Sequence, residues 1–223
     1  MAADETLGPL PAGRHGFSRE QVEHNQRERL IAGLATAVAE HGYAAVTITH
    51  ITAEAKVSRR VFYANFEGKE ECFLAAFEVL AGHVRELAAE ATEGIPDWPH
   101  QAVAAARAVL AFLASEPDLA RLCLVESQGA GPQVAARFHE AVHEAVPFLE
   151  VGRAERERDR PLPDSTEEST IGALVSLAGR KVAAGEAEQL EDLLPDCAEF
   201  ILSPYLGAEE ARRLSGEIRD TGT

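Results

Sequence analysis

This sequence has few cysteines, no long apolar runs and fewer positive than negative charges. It has three cysteines in 223 residues, Cys72, Cys123 and Cys197, and they lie far apart. This odd, scattered set argues against a disulfide framework or a zinc finger and favours a reducing cytoplasm. No apolar stretch approaches the roughly 20 residues that a membrane-spanning helix needs. Because the first residues lack a basic segment followed by an apolar one, we expect no secretory signal.

Positive charge is in deficit, and the deficit is unevenly distributed. The chain holds 21 Lys and Arg against 37 Asp and Glu, which gives a formal net charge of -16. Residues 14–70 are nearly neutral, with eight basic and seven acidic side chains, whereas residues 71–223 have 13 basic and 28 acidic ones. Because such an acidic region repels a polyanion, we expect any nucleic acid to contact the N-terminal part alone.

The remaining composition is that of a globular protein, with 46% hydrophobic and 26% charged residues. The β-branched residues 46–49 are not followed by the alternation typical of strands, whereas helical spacing of apolar residues is widespread. The sequence therefore predicts an all-α fold. The predicted helices cover residues 18–41, 71–91, 99–114, 117–127, 132–149, 165–184 and 190–203, in addition to two short ones between 47 and 66.

Capping residues support several of these boundaries. Ser18 is placed to cap the first helix, and Gly42 is placed to end it. Residues 165–168 form a capping-box pattern, and Pro204 is expected to end the helix over 190–203. Residues 151–164, which are rich in charge and proline, are predicted to form a polar loop.

The segment from Thr47 to Lys69 is the most informative part of the chain. Thr47 is placed to cap one short helix and Ser58 a second, while Lys56 and Val57 form a tight turn between them. Two short helices joined in this way allow one to enter the major groove of DNA while the other braces it. A helical hairpin with solvated arginines is the alternative that fits the same spacing.

Polar and basic side chains on this segment suit contacts with DNA. Arg59 and Arg60 begin the second short helix, where guanidinium groups can reach guanine edges or phosphates. Hydroxyls, amides and helix N-termini can donate to phosphate oxygens. The candidate DNA-binding residues are Thr47, Thr49, Lys56, Ser58, Arg59, Arg60, Tyr63, Asn65 and Lys69.

A joint pattern of residues runs through this segment and its surroundings. Its members are Gly42, Tyr43, Thr47, Ile48, Ile51, Ala55, Val57, Ser58, Arg59, Arg60, Phe62, Tyr63, Phe66, Lys69 and Glu70. In this pattern residues 18–80 resemble the tetracycline-repressor (TetR) family of bacterial transcription regulators. The resemblance implies an all-helical homodimer with a three-helix DNA-binding unit and a larger C-terminal domain that dimerises and binds a small-molecule inducer. The implied division is a flexible tail over 1–17, a helix-turn-helix domain over 18–70 and an effector-binding and dimerisation domain over 71–223.

The resemblance also assigns roles to individual residues. Thr47, Thr49, Tyr63 and Lys69 correspond to phosphate contacts, and Ser58, Arg59 and Arg60 correspond to the base-reading start of the recognition helix. Three residues depart from the family pattern: Lys56 replaces the usual glycine, Asn65 the usual histidine, and Ala64 a long or aromatic side chain. We expect Lys56 to strain the turn slightly while adding a cation beside the groove.

A stripe of small residues marks the predicted helix over 166–184. Its members lie at steps of four, three and four, a spacing that permits another helix to approach closely. They are Gly172, Ser176, Gly179 and Ala183. Together with the apolar segment over 190–203, this helix can form a four-helix interface in a homodimer. A helix buried within one subunit fits the same pattern, but the family resemblance favours the interface.

His139, Glu140 and His143 match the H-E-x-x-H pattern of zinc proteases. The extended form of that pattern needs glycine and histidine where this chain has Val146 and Leu149, so a metallohydrolase is the weaker alternative. We expect no metal or cofactor, and we expect a small-molecule effector in the C-terminal part. The candidate effector-binding residues are Phe112, Phe138, His139, Val142, His143 and Phe148.

The sequence as a whole predicts a ligand-responsive DNA-binding regulator and no enzyme. No phosphate-binding loop, dinucleotide-binding glycine pattern or nucleophile elbow is present. The expected protein is a cytoplasmic homodimer that acts as a repressor and leaves a near-palindromic operator when an effector binds. An activator of the same fold, and a regulator that senses a protein partner, are left open.

Arg14, His15 and Arg19 could reach an adjacent DNA groove, although a solvated tail is the simpler expectation.

Overall fold

A computed structural model describes residues 18–155 and 161–221, and within these ranges the chain is helical without strands. The all-α prediction is therefore confirmed. The α-helices are α1 (Arg19–His41), α2 (Ile48–Glu54), α3 (Arg59–Asn65), α4 (Lys69–Thr92), α5 (Trp98–Ser115), α6 (Pro117–Leu124), α7 (Pro132–Glu144), α8 (Val146–Glu150), α9 (Thr166–Ala183), α10 (Leu194–Leu206) and α11 (Ala208–Thr221). The predicted tail over 1–17, with Arg14 and His15, lies outside the described residues. None of the helices described is long and apolar enough to cross a membrane.

Local side-chain chemistry sets the start of the first three helices. The Ser18 hydroxyl accepts the N–H of Gln21, and the Gln21 side chain accepts the N–H of Ser18, which completes a capping box for α1. The hydroxyls of Thr47 and Ser58 accept backbone N–H groups at the starts of α2 and α3. All three predicted caps are confirmed.

Two predicted features of the later helices are wrong. The single helix expected over 132–149 is divided at Ala145 into α7 and α8. Ser165 provides no side-chain cap for α9, and the hydroxyl of Thr166 donates instead to the carbonyl of Pro163. Residues 165–168 therefore open α9 without forming the box.

The C-terminal end also differs from the prediction. Pro204 lies inside α10, which continues to Leu206 instead of stopping at residue 203. A proline in the last turn removes only one backbone donor, and the helix can tolerate this so close to its end. Gly207, at φ 83, then turns the chain into α11, a helix that the sequence analysis missed.

We call α1–α3 the head and α5–α11 the body, with α4 connecting them. One buried cluster joins the two, because Leu30 and Phe62 of the head pack in the same core as Phe73 of α4 and Phe138 of the body. Two further clusters lie within the body, one around Leu190 and one around Trp98 and Tyr205. The predicted domain boundary at residue 70 falls in the first turn of α4, so one helix spans it.

Candidate DNA-binding surface

The turn between α2 and α3 closes with a hydrogen-bond pattern common at helix ends. The N–H of Lys56 donates to Ala53 at 3.1 Å, and the N–H of Val57 donates to Thr52 at 3.1 Å. This is the arrangement of a Schellman turn, which needs a left-handed residue at its centre and normally uses glycine. Lys56 takes that conformation with φ 51. The expectation of a strained turn at Lys56 is confirmed.

The recognition helix presents both of its arginines to solvent. Phe62 faces inward and is fully buried, which orients α3 and leaves Arg59, Arg60 and Tyr63 on the exposed side. Neither guanidinium has an ion-pair partner among the residues that the structure describes. Two adjacent, unpaired cations at a helix start are suited to phosphates or guanine edges.

Seven of the nine predicted DNA-binding residues are exposed, and two are partly buried and hydrogen-bonded within the protein. The amide nitrogen of Asn65 donates to the carbonyl of Val61 at 2.9 Å, so the side chain is held along its own helix. The ammonium of Lys69 donates to the carbonyls of Tyr43 at 2.9 Å and Val46 at 3.2 Å, and lies 4.4 Å from the centre of the Tyr43 ring. These contacts show structural roles for both residues, and their contacts with DNA stay predictions.

α1 also takes part in this surface, which the sequence did not predict. Arg29 is only 8% exposed, and its guanidinium donates to the carbonyl of Ala55 and, at 2.8 Å, to that of Lys56. Arg27 lies 4.5 Å from the centre of the Phe66 ring, at the end of α3. The sequence signal for the role of Arg29 is its position on the apolar face of an amphipathic helix. A guanidinium buried there needs hydrogen-bond acceptors from a neighbouring segment.

The body contacts the head at the turn between α1 and α2. One carboxylate oxygen of Glu126, which follows α6, accepts the N–H of Tyr43 at 2.9 Å. Its other oxygen lies 3.2 Å from the guanidinium of Arg121. Since Lys69 binds the Tyr43 carbonyl, this residue is held at its N–H by the body and at its carbonyl by α4. Burial, followed by the Glu70 charge, raises the pKa of Tyr43.

The six predicted effector-binding residues are spread over the body. Phe138 and Val142 pack in the cluster shared with the head, Phe112 in the cluster around Leu190, and Phe148 beside Trp98. The side chains of His139 and His143 are exposed on α7. The six residues therefore do not share one cluster, and their role in binding an effector stays a prediction.

The H-E-x-x-H residues lie on the solvent side of α7. Nδ1 of His139 is 2.7 Å from the carbonyl oxygen of Ala135, within the same helix. No group of three or more metal-ligand side chains suited to an ion occurs within the described ranges 18–155 and 161–221. Burial raises the pKa of the Cys123 thiol to about 12, which makes it a poor nucleophile.

The predicted small-residue stripe on α9 divides into two parts. Gly172, Ser176 and Ala183 are exposed, and a Cβ on Gly172 would meet no atom within 4 Å. Gly179 instead faces α6, where its Cβ would lie 3.3 Å from the carbonyl oxygen of Leu124. Phe200, on the adjacent α10, is 48% exposed. The outward part of the stripe and Phe200 are thus exposed on the described chain.

Comparison with known families identifies the head. Residues 30–76 match the family model for bacterial regulatory proteins of the tetR family. The matched segment contains the whole α2–turn–α3 unit with its two exposed arginines. Over these residues the chain resembles the TetR family.

Solved structures share the fold of this chain over most of its length. The fatty acid degradation regulator FadR from Bacillus halodurans has a TM-score of 0.71 at 16% identity, over 79% of this chain and 94% of FadR. FadR from Bacillus subtilis, in complex with stearoyl-CoA, has a TM-score of 0.70 at 18% identity, over 79% and 97%. A TetR transcriptional regulator from Chloroflexus aurantiacus J-10-FL has a TM-score of 0.61 at 26% identity, over 80% and 95%. The fold prediction of a helix-turn-helix head on a helical body is confirmed.

Proposed function

We propose that this chain is a DNA-binding transcription regulator that reads its operator through the start of α3. The observation that carries the proposal is the pair Arg59 and Arg60, both exposed and without ion-pair partners among the described residues, on a chain of net charge -16. The exposed residues Thr47, Thr49 and Tyr63 lie in the same α2–α3 unit and can position it on the phosphates. We assign DNA binding to residues 18–70 and the remaining functions to residues 71–223.

A selection from a pool of random DNA duplexes tests this function and needs no known operator sequence. We expect enrichment of a near-palindromic duplex whose half-sites lie one helical turn apart, about 34–36 Å. Affinity for the enriched duplex should fall steeply with salt, because cations that neutralise phosphates release counterions. If no duplex is enriched above the starting pool, the proposed function is wrong.

The half-site geometry requires two heads, and we propose that a homodimer supplies them. The dimer would form through α9 and α10, where Gly172, Ser176, Ala183 and Phe200 are exposed on the single chain. Small side chains on one helix allow the matching helix of a second copy to approach closely, and Phe200 adds apolar area. This assignment agrees with the four-helix interface expected from the sequence.

Replacing Gly172 with arginine is expected to convert the dimer into a folded monomer. Apart from its chain neighbours and the α9 backbone, no atom would lie within 4 Å of a new Cβ, so the subunit should fold unchanged, whereas a long charged side chain would separate the two α9 helices. Analytical ultracentrifugation measures the mass, and circular dichroism checks the helix content. The matched control is Gly82→Arg on α4, where the nearest atom is the flexible end of Arg85 at 3.8 Å. A dimeric Gly172→Arg protein would contradict the assigned interface.

We propose that the effector is mainly apolar and has few negative charges. FadR from Bacillus subtilis was solved with stearoyl-CoA, whose phosphates are strongly anionic. In this chain residues 71–223 contain 28 acidic and 13 basic side chains, and that field disfavours a polyanion. The apolar clusters of the body suit a hydrocarbon chain. Within this proposal Phe112, Phe138, His139, Val142, His143 and Phe148 stay the candidate contacts.

A thermal-shift comparison distinguishes these ligand classes. We expect an uncharged ester of a long-chain fatty acid to raise the melting temperature by about 2–4 °C, since each kcal/mol of binding shifts a domain of this size by that amount. Stearoyl-CoA at the same concentration should give a smaller shift at low ionic strength, where repulsion is strongest. A larger shift with stearoyl-CoA would overturn the charge argument.

We further propose that the protein acts as a cytoplasmic repressor, since its target is DNA and an effector bound in the body would disturb the head through the Glu126–Tyr43 contact. An activator of the same fold would respond through the same contact, and a reporter gene placed behind the selected duplex distinguishes the two.

The metallohydrolase alternative has less support, because His139 and His143 lie exposed in the body of a chain whose head matches a regulator family.

A further inference from the structure

The turn before the recognition helix has a lysine, Lys56, at the position that takes the left-handed conformation. Of the residues that the structure describes, Lys56 alone among non-glycines has a positive φ, while Gly42 and Gly207 illustrate the usual occupant. A side chain in this conformation is disfavoured because its Cβ crowds the following carbonyl. Since α3 begins three residues later, the backbone angles of Lys56 set the direction in which Arg59 and Arg60 point. The backbone hydrogen bonds of the turn favour those angles, and a contact from outside the turn can hold them further.

Arg29 makes the contacts that hold them. Its Nη2 donates to the carbonyls of Ala55 and Lys56, the two peptide oxygens on either side of the strained Lys56 Cα. Carbonyls at the end of a helix have no partner within that helix, so they need donors from elsewhere. A guanidinium is a strong donor for this purpose, because hydrogen bonds from charged groups are shorter and stronger than neutral ones. Its burial, with 8% exposed, shields both bonds from water.

One helical turn further along α1, Gly33 explains how Arg29 can reach the turn. A Cβ on Gly33 would lie 2.7 Å from the backbone nitrogen of Ala55 and 2.9 Å from the carbonyl oxygen of Ile51. These distances are too short for any side chain, so α2 rests directly on the α1 backbone at this point. Arg29 and Gly33 are four residues apart and therefore share one face of α1. Together they form the surface of α1 against which the end of α2 packs.

We propose that Arg29 is a positioning residue for DNA recognition, which acts by holding Lys56 in its left-handed conformation. This inference rests on the proposed function of the chain as a DNA-binding regulator. Arg29 itself contacts no DNA in this proposal. It fixes the angle between α2 and α3, so that Arg59 and Arg60 meet the groove while Thr47 and Thr49 meet the phosphates.

Three variants of the full-length protein test the proposal: Arg29→Met, Lys56→Gly and the double variant. Hydrogen exchange at the Val57 amide, which donates to Thr52 across the turn, reports on the turn itself. We expect Arg29→Met to speed this exchange about tenfold relative to the amide of Leu34, because a charge-assisted bond is lost. In the double variant we expect most of the protection to return, because glycine adopts the left-handed conformation without strain.

DNA binding is measured on the duplex enriched from the random pool. We expect Arg29→Met to weaken binding about tenfold or more, because the charge-assisted bonds to Ala55 and Lys56 are both lost. Lys56→Gly alone should mainly lower the salt dependence, because it removes one cation per subunit. The double variant should bind about as well as Lys56→Gly alone. Losses that simply multiply in the double variant would overturn the proposal, since they would show that Arg29 acts independently of Lys56.

Two controls separate positioning from general destabilisation. Val38→Ala removes buried volume from α1 more than two helical turns from Arg29, so it should lower the melting temperature without selective exchange at Val57. Arg29→Lys, which keeps a charged donor, should recover part of the Val57 protection. If the random pool yields no duplex, the proposed function fails, while the exchange measurements still decide whether Arg29 holds the turn. Equal exchange at Val57 in wild type and Arg29→Met would exclude it.

Discussion

Replacing Arg59 and Arg60 together with alanine is expected to remove specific DNA binding while leaving the protein folded and dimeric. Both side chains are exposed, and the inward face of α3 is formed by Phe62, so neither arginine contributes to the core. One well-placed arginine contact with a base contributes about 1–3 kcal/mol, and a dimer presents two such pairs. We therefore expect affinity for the selected duplex to fall by a factor of roughly 10³ or more.

The salt dependence of the same variant shows what the two arginines contact. Each phosphate contact contributes about one unit to the slope of log affinity against log salt, so loss of phosphate-binding arginines flattens the plot. Loss of base contacts instead lowers affinity for the selected duplex more than for a random one. A matched control is Arg212→Ala with Arg213→Ala, since these two adjacent arginines are exposed on α11 in the body. Unchanged DNA binding by the Arg59 and Arg60 variant would defeat the assigned recognition.

The head could be predicted closely because its structure is encoded locally. Thr47 and Ser58 bind the backbone of the helices that follow them, and such contacts between residues three apart are visible in the sequence. The strain at Lys56 could be anticipated for the same reason, because it depends on one residue in a turn of known type. Short-range chemistry therefore predicted most of the α2–α3 unit.

The contacts that place the head could not be predicted, because they join distant parts of the chain. Arg29 binds carbonyls 26 and 27 residues away, and Glu126 binds the N–H of Tyr43 across 83 residues. Neither the identity of an acceptor nor the direction of a long side chain is encoded by spacing. The six candidate effector-binding residues do not share one cluster, and the sequence could not show this for a related reason. Apolar periodicity shows that a residue is buried, but not which neighbouring helix it faces.

Glu167 is another residue whose long-range contacts could not be predicted from the sequence. Its replacement is expected to have the largest effect on stability. The residue was expected to belong to a capping box, yet it is 1% exposed, and its carboxylate binds the Arg153 guanidinium at 2.8 and 2.6 Å. The hydroxyl of Tyr205 donates to the same carboxylate at 3.1 Å. These bonds join the segment after α8 to α9 and α10. The carboxylate is thus satisfied by groups from two other parts of the body.

Replacing Glu167 with leucine is expected to lower the free energy of unfolding by about 3 kcal/mol, because it leaves the Arg153 guanidinium without its charge partner. The value is at the lower end for buried pairs, since the Arg153 side chain is 34% exposed and water can solvate part of it. Adding Arg153→Met should restore most of the loss, as an apolar pair of similar volume often replaces a buried ion pair at little cost. Chemical denaturation of the wild type, both single variants and the double variant measures the coupling. A double variant as unstable as Glu167→Leu would contradict this account.

The pH dependence of stability gives an independent measure of the same pair. Burial alone would raise the pKa of Glu167, but hydrogen bonds from Arg153, its own backbone and Tyr205 outweigh that effect and lower the pKa below its ordinary value of 4.5. A carboxyl whose pKa is lowered by folding stabilises the protein above its unfolded pKa and loses that contribution as the pH falls through the folded value. The unfolding free energy of the wild type minus that of the double variant should therefore be constant near neutral pH and fall below about pH 4.5, where the wild type alone loses the contribution of Glu167. Because the other carboxylates of the chain are common to both proteins, their titration cancels in this difference. A difference that stays constant down to strongly acidic pH would show that the Glu167 charge does not stabilise the body.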